Sequence, residues 1–486
     1  MTTATTGRSM EGKKTILPYR HRLTSAGGAV HSPQGAAMRL RVAMLVVGLC
    51  SLPLSAQAPP AALLEVPYVQ FTLDNGLTVI LHRDTSVPVV SVNIWYHVGS
   101  ANERPGRTGL AHLFEHLMFE GSGHVAEGAF DTLLEAAGAS SNGSTDLDRT
   151  NYFIDLPANA LELALFLESD RMAYLLDAMS PERVNGQREV VKNERRQSYE
   201  NRPYGMASIE LDRMLWPPGH PYSWPTIGSM EDLNAASYDD IVAFFKTYYA
   251  PNNASLVIAG DIDIARTRAL VERWFGEIPR GPVVPPPAAP PAILTGITRK
   301  TLTDQVRLPR LYLGWLTPRA YAPGDAALEV TASILAGGKN SRLYTRLVYE
   351  MQIAQDVAAV QQGNALGGSF LVVATAKPGY TIDQIQKAID EELDRLRREP
   401  PSPRELQRVL NQIEASFYRG MERVGGFGGK ADQLNAYYFA GGGPDFYAED
   451  LARYMSLSPA DIQAAALRWL PPDRRVELTV EPQEKQ

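Results

Sequence analysis

Cysteine is almost missing from this chain: Cys50 is the only one in 486 residues. It lies in an apolar run, 42–54, preceded by Arg39-Leu40-Arg41 and followed by the small residues Ser55-Ala56-Gln57-Ala58. A basic start, a short apolar stretch and a small-residue end read as a secretory signal, with Met38 as an alternative start. The run is too short for a stable membrane span. Leu49 is too large a residue to precede a lipoprotein cysteine. Beyond residue 58 no cysteine remains, so disulfides and thiolate metal ligands are excluded. Any metal must be held by histidine and carboxylates.

Positive charge is also scarce downstream. Residues 1–58 hold seven Lys/Arg against Glu11 alone, leaving 40 basic and 53 acidic residues after them, a net of −13. Such a body lacks the basic face that phosphate binding needs, which argues against a nucleic-acid partner. The expectation is an exported, periplasmic protein with no stable membrane span once the signal is removed.

The length is too great for one core and predicts at least two domains. Residues 279–293 are rich in proline, which favours an extended, semi-rigid linker. The expected division is a targeting region 1–58, a first domain 62–278, the linker 279–293 and a second domain 294–486. The two domains read as a duplication. Asp240-Ile241 opens a helical run ending at Pro251, before a strand 254–259; Asp461-Ile462 opens one ending at Pro472, before a strand 475–480. Both landmarks are 221 positions apart. In the first domain, strands 69–73 and 77–82 flank the turn signal Asn75-Gly76, and an alternating strand follows at 89–97. Helices are predicted over 108–120, 158–176 and 181–199, the last with Ser180 as cap and Pro181 in its first turn. The fold class is therefore α+β: two homologous domains, each an antiparallel-rich sheet covered by helices, facing each other across a cleft.

The chemistry concentrates in His112-Leu113-Phe114-Glu115-His116. Residues four apart share one helix face, so both imidazoles can converge on one ion, with Glu115 on the same side. Two histidines and a carboxylate form a common catalytic zinc set that leaves a coordination position open. A third ligand must come from elsewhere. The helix at 181–199 offers Glu182, Glu189 and Glu194, and periodicity does not choose between Glu189 and Glu194.

The stretch from Val98-Gly-Ser-Ala-Asn-Glu through His112-Leu-Phe-Glu115-His116-Leu-Met-Phe-Glu-Gly-Ser resembles the signature of the pitrilysin/insulinase family of zinc metallopeptidases, the inverzincins. The likeness is to its bacterial processing-peptidase-like branch and runs over the whole region after the signal, including Tyr-Tyr-Ala-Pro-Asn-Asn before a strand. It implies a metalloendopeptidase that cleaves peptides or unfolded segments, with one Zn²⁺ per chain. The implied ligands are His112, His116 and Glu194, and the implied base is Glu115. The family's third ligand is a glutamate about 75 residues past the second histidine; Glu194 is 78 positions past His116, in a matching Asn-Glu context. The resemblance also marks 139–152 as an edge strand that pairs with an extended substrate, making Asn142 and Gly143 candidate substrate contacts, and Arg346 another. An edge strand can do this because half its backbone groups are unpaired.

Two departures stand out. Where many members carry a second glutamate, seven residues before the third ligand, this chain has Gln187. Where an Arg is followed seven residues later by a Tyr, Arg346 is followed by Ile353. The second departure implies a homologous partner subunit that completes the substrate contacts. The rival readings are a non-catalytic scaffold or assembly subunit, and a binding protein that uses the cleft without chemistry. The intact motif disfavours the scaffold, because such subunits tend to lose ligand or base residues. His97 and His124 read as structural. Gly425–Lys430 lacks the pattern of a phosphate loop, since Val424 and Ala431 occupy required positions; it reads as a hinge or substrate-facing loop.

Overall fold

The tight turn at Asn75-Gly76 forms as the sequence predicts. Gly76 has φ +95°, and Leu73 N–H donates to Leu77 O at 2.9 Å. It joins β1 (Val69–Thr72) to β2 (Thr78–Arg83) as an antiparallel pair. The structure, a computed structural model, describes residues 65–441 and 443–483. Met38, Cys50 and the signal-like run lie outside the described residues.

Nine further strands follow: β3 (Val89–Tyr96), β4 (Ser140–Thr145), β5 (Thr150–Pro157), β6 (Ala254–Gly260), β7 (Ile297–Asp304), β8 (Arg310–Thr317), β9 (Ala354–Gly363), β10 (Gly368–Ala376) and β11 (Arg475–Pro482). They build a six-stranded sheet, β1-β2-β6-β3-β5-β4, and a five-stranded sheet, β7-β11-β8-β10-β9. In the first, β2 and β6 are parallel and every other pair is antiparallel. The second repeats the pattern, with β7 and β11 parallel and the rest antiparallel. Without β1 the two sheets have the same topology, as a duplicated unit requires.

Among the described residues, eight helices belong to the first half: α1 (Leu110–Leu117), α2 (Ala129–Ala136), α3 (Leu161–Ala178), α4 (Pro181–Arg195), α5 (Met206–Leu215), α6 (Met230–Ala235), α7 (Tyr238–Tyr248) and α8 (Ile264–Phe275). Six follow: α9 (Asp325–Ala336), α10 (Ile382–Arg398), α11 (Pro403–Glu422), α12 (Lys430–Ala440), α13 (Tyr447–Met455) and α14 (Pro459–Trp469). The duplication reaches the caps. Ser237 and Asp240 form a capping box on α7, and Ser458 and Asp461 form the same box on α14. Each satisfies orphan N–H groups in both directions. Helix α4 stops at Arg195, short of the predicted 199, and gives way to a π-helical turn at Arg196–Glu200.

Strand β6 is buried at all seven positions, because both faces of its sheet are covered. Leu256 and Ile258 pack with Val79 and Leu81 against Phe114, Leu165 and Phe275, from the first half's own helices. Ile80, Val257 and Ala259 point the other way, onto Ala431, Leu434 and Tyr437 of α12. The exchange is mutual. Leu211 and Leu215 of α5 pack on Val476, Leu478 and Val480 of the second sheet. Polar contacts pin both covers: Lys430 pairs with Asp84, and Tyr204 O–H donates to Leu308 O at 2.8 Å.

Residues 279–293 carry no helix or strand and lie between the two sheets in sequence. Asn252, of the Tyr-Tyr-Ala-Pro-Asn-Asn run, fastens this segment: it accepts Gly281 N–H at 2.7 Å and donates to Pro282 O at 2.9 Å. Leu64–Gln486 clusters as one compact unit. Among the described residues no helix is long and apolar enough to cross a membrane.

Candidate metal centre and active site

Helix α1 is buried at all eight positions, so nothing solvates its first N–H groups. Its N-cap, Gly109, has φ +91° and no capping side chain. A Cβ there would come within 3.0 Å of Gly228 Cα and Ile227 O, so only glycine fits. Glu103 does the capping instead, accepting Gly109 N–H at 2.9 Å and Ala111 N–H at 2.8 Å. Its two carboxyl oxygens thus take up N–H groups that the helix itself leaves without partners. Burial pushes Glu103 up to about 8, against the opposing pull of these backbone N–H groups.

Held this way, α1 turns His112 and His116 toward α4. The two rings lie 4.9 Å apart between centroids. Glu194 Oε2 is 3.7 Å from His112 Nε2 and 3.3 Å from His116 Nε2. One ligand atom from each of the three residues lies within 4.8 Å of the others. Tetrahedral zinc with bonds near 2.0–2.1 Å needs ligand atoms about 3.3–3.5 Å apart. His116 Nε2 is buried, and Glu194 Oε2 at 3.3 Å is the polar atom it faces, so the two ligand atoms close on a space that a cation can fill. Burial lowers the His112 pKa, favouring the neutral imidazole that binds metal. Burial pushes Glu194 up, but the facing imidazoles of His116 and His112 outweigh it and leave the carboxyl below its ordinary value. Residues and geometry thus fit a zinc ion.

The choice left open on α4 is decided by facing. Glu189 lies outward and pairs with Lys192 at 2.6 Å, whereas Glu194 meets the histidines. Of the other predicted residues, Glu115 is 3% exposed and lies against β4, the free edge of the first sheet. A Cβ on Gly143 would stand 3.2 Å from Glu115 Cγ and 3.0 Å from the Tyr152 ring. Gly143→Ala is therefore expected to displace the Glu115 carboxylate and lower kcat by about tenfold, with bound zinc unchanged; steady-state kinetics and metal analysis check this. Asn142, beside it on β4, turns its Oδ1 back to accept Gly143 N–H at 2.9 Å.

Arg346 is placed differently from a free substrate contact. It lies in a π-helical turn, Tyr344–Glu350, and pairs with Glu391 and Glu392 of α10. Ile353 is a buried core residue of the second half. Gln187 donates to Glu120 Oε1 at 2.6 Å, and Glu120 lies three residues past the end of α1. Burial, then the nearby Glu127, already raise the Glu120 pKa. A glutamate at 187 would set a second carboxylate against it, which explains the amide. Gln187→Glu should raise the Glu120 pKa further and cost on the order of 1 kcal/mol at neutral pH, relieved on acidification; denaturant titration at two pH values reads it.

Three supports of the site were missed in the sequence. Arg171 of α3 lies 4.2 Å over the Tyr152 ring and pairs with Glu168, both buried. Asp170 holds the loop after α1, accepting Ser122 O–H at 2.5 Å and His124 N–H at 3.0 Å. Glu103 is the third. The signal for the first two was Glu168-Ser-Asp-Arg171 inside an otherwise apolar helix, where burial demands pairing. His97 sits half-buried with its Nε2 3.1 Å from Ser255 Oγ.

Comparison with known proteins agrees with this arrangement. Residues 78–209 match the family model described as insulinase (peptidase family M16), and 235–413 match the one described as peptidase M16 inactive domain. A zinc protease of Helicobacter pylori, PqqE, is 29% identical over 355 residues, 72% of this chain and 79% of that protein. An uncharacterized zinc protease of Streptomyces coelicolor, SCO5738, is 26% identical, covering 81% and 85% respectively. The crystal structure of a protease from Helicobacter pylori superposes with TM-score 0.81 at 26% identity, over 86% of this chain and all of that one. A Pseudomonas fluorescens structure titled as a peptidase M16 inactive domain shares the fold, with TM-score 0.77 at 17% identity, over 86% and 99%. With both halves of the fold matched and the metal-ligand geometry in place, the chain belongs to the insulinase/pitrilysin family, peptidase family M16.

Proposed function

We propose that the chain is a zinc-dependent endopeptidase acting on peptides or unfolded polypeptide segments. The observation that carries this reading is the meeting of His112, His116 and Glu194 around one point, with Glu115 on the same helix. These three residues would hold the ion. A bound Zn²⁺ supplies Lewis acidity and brings the pKa of water toward neutrality. Glu115 takes the proton of the attacking water and returns it to the leaving amine. Its burial against Gly143 and Tyr152 keeps bulk water from solvating the carboxylate. Strand β4 offers unpaired backbone groups, and an extended peptide added there would lie along Gly143, beside the base.

The ligand supply supports one zinc per chain: no histidine or cysteine occurs after His220. The second half therefore lacks imidazole and thiolate ligands for an equivalent centre, in keeping with the name of the model it matches. With Arg346 engaged by Glu391 and Glu392, substrate contacts from that half are incomplete, which favours a homologous partner subunit. One relative, 26% identical, is named a mitochondrial-processing peptidase subunit beta. Export to the periplasm is part of the same proposal, on the signal-like run 42–54. The test is cleavage of a quenched fluorescent peptide by the purified protein, alone and with any co-purifying homologue, before and after chelation. Chelator-sensitive turnover restored by zinc is expected. A zinc-replete protein with no turnover in either setting would favour the scaffold reading.

A further inference from the structure

The half without metal-binding histidines reaches into the first sheet at one carboxylate. Asp432 lies in the first turn of α12. Its Oδ1 accepts hydrogen bonds from Asn151 Nδ2 at 2.9 Å, Trp95 Nε1 at 3.0 Å and Asn93 Nδ2 at 3.3 Å. Its Oδ2 accepts Gly428 N–H at 2.8 Å. Four donors from two strands and a loop thus close on one side chain.

The chain of contacts continues to the free edge. Asn151 on β5 faces Ser144 on β4 in register, and Asn151 Oδ1 accepts Ser144 O–H at 2.6 Å. Arg149 closes the same knot, donating to Asn151 Oδ1 at 3.0 Å and to Ser144 O at 3.0 Å. Asn151 therefore spends its amide on Asp432 and its carbonyl on β4. The glycine-rich loop before α12 makes the approach possible. Sequence alone reads it as a hinge or substrate-facing loop, but it packs on β5: a Cβ on Gly425 would lie 1.9 Å from Asp155 Oδ1, and the Phe427 ring sits 4.9 Å from Phe153. Asn435 anchors the helix one turn further, donating to Asn93 Oδ1 at 2.7 Å.

We propose that Asp432 is a positioning residue for substrate, fixing the register and rigidity of β4 through Asn151 and Ser144. This rests on β4 serving as the substrate strand in the peptidase reading. The second half then contributes to turnover without touching the metal. Asn151 is tied on both sides, so loss of either tie frees the edge strand locally while the cores stay packed.

The test compares Asp432→Asn and Asn151→Ala with the unaltered protein. Asp432→Asn keeps the volume but turns an NH₂ group toward donors. Both variants should raise KM for an extended peptide on the order of tenfold, with kcat within about twofold and bound zinc unchanged. Hydrogen exchange should quicken at residues 140–145 and stay slow in β2 and β6. Tyr204→Phe, which removes a different contact between the halves, should change neither KM nor exchange at β4. Unaltered β4 exchange in both variants would overturn the proposal, as would a uniform rise in exchange with loss of zinc. Should the unaltered protein cleave nothing, the peptidase reading falls while the exchange data still decide the role of Asp432.

Discussion

Glu115→Gln should retain one zinc per chain and lose turnover by about 10²–10⁴-fold. Glutamine keeps the size of a buried side chain packed against Gly143 of β4, so the metal ligands on either side of it on α1 need not move. What it removes is the capacity to take a proton from water. Metal analysis together with peptide cleavage separates the two properties. Wild-type rates in this variant would remove Glu115 from the mechanism.

Glu194→Ala should act on the other property, lowering zinc affinity. Removing partners of metal ligands commonly costs 10–100-fold in affinity, so deleting a ligand should cost at least about 100-fold. The two imidazoles remain on α1, but the carboxylate 3.3 and 3.7 Å from them is gone. A ligand that binds only the folded state stabilises it by about 2.7 kcal/mol at a hundredfold excess over Kd. The thermal midpoint of the unaltered protein should therefore fall on chelation, and that of Glu194→Ala should respond little. Competition with a chromophoric chelator gives the affinity directly. An undiminished affinity would mean that another group completes the site.

The readability of these features in the sequence followed their range along the chain. His112, Glu115 and His116 occupy one and a half turns of one helix, so spacing alone places them together. Glu189 and Glu194 point about 140° apart on α4, yet spacing does not tell which direction meets α1; only the family resemblance named Glu194. The duplicated topology was legible because both copies keep the same local unit, from the Ser-capped helix to the proline and the strand. Helix ends were off by a few residues where a π-helical turn replaced the last turn of α4. The setting of Arg346 was illegible for a different reason. Its partners Glu391 and Glu392 lie on α10, and nothing local marks so distant a pairing. Asp432 was invisible in the same way: its side-chain partners on β3 and β5 are hundreds of positions away, and no period connects them.

The mutual cover of the sheets by α5 and α12 bears on how such a chain could have arisen. A gene for one half alone would encode a sheet with a bare apolar face, where side chains such as Leu434 now lie, a leucine being worth about 1.5–3 kcal/mol when buried. Two ancestral copies could have covered each other by trading helices, as swapped twins do, and a proline-rich tether then made the union permanent. Cleavage within that tether should leave the two fragments bound to each other, whereas either fragment made separately should aggregate.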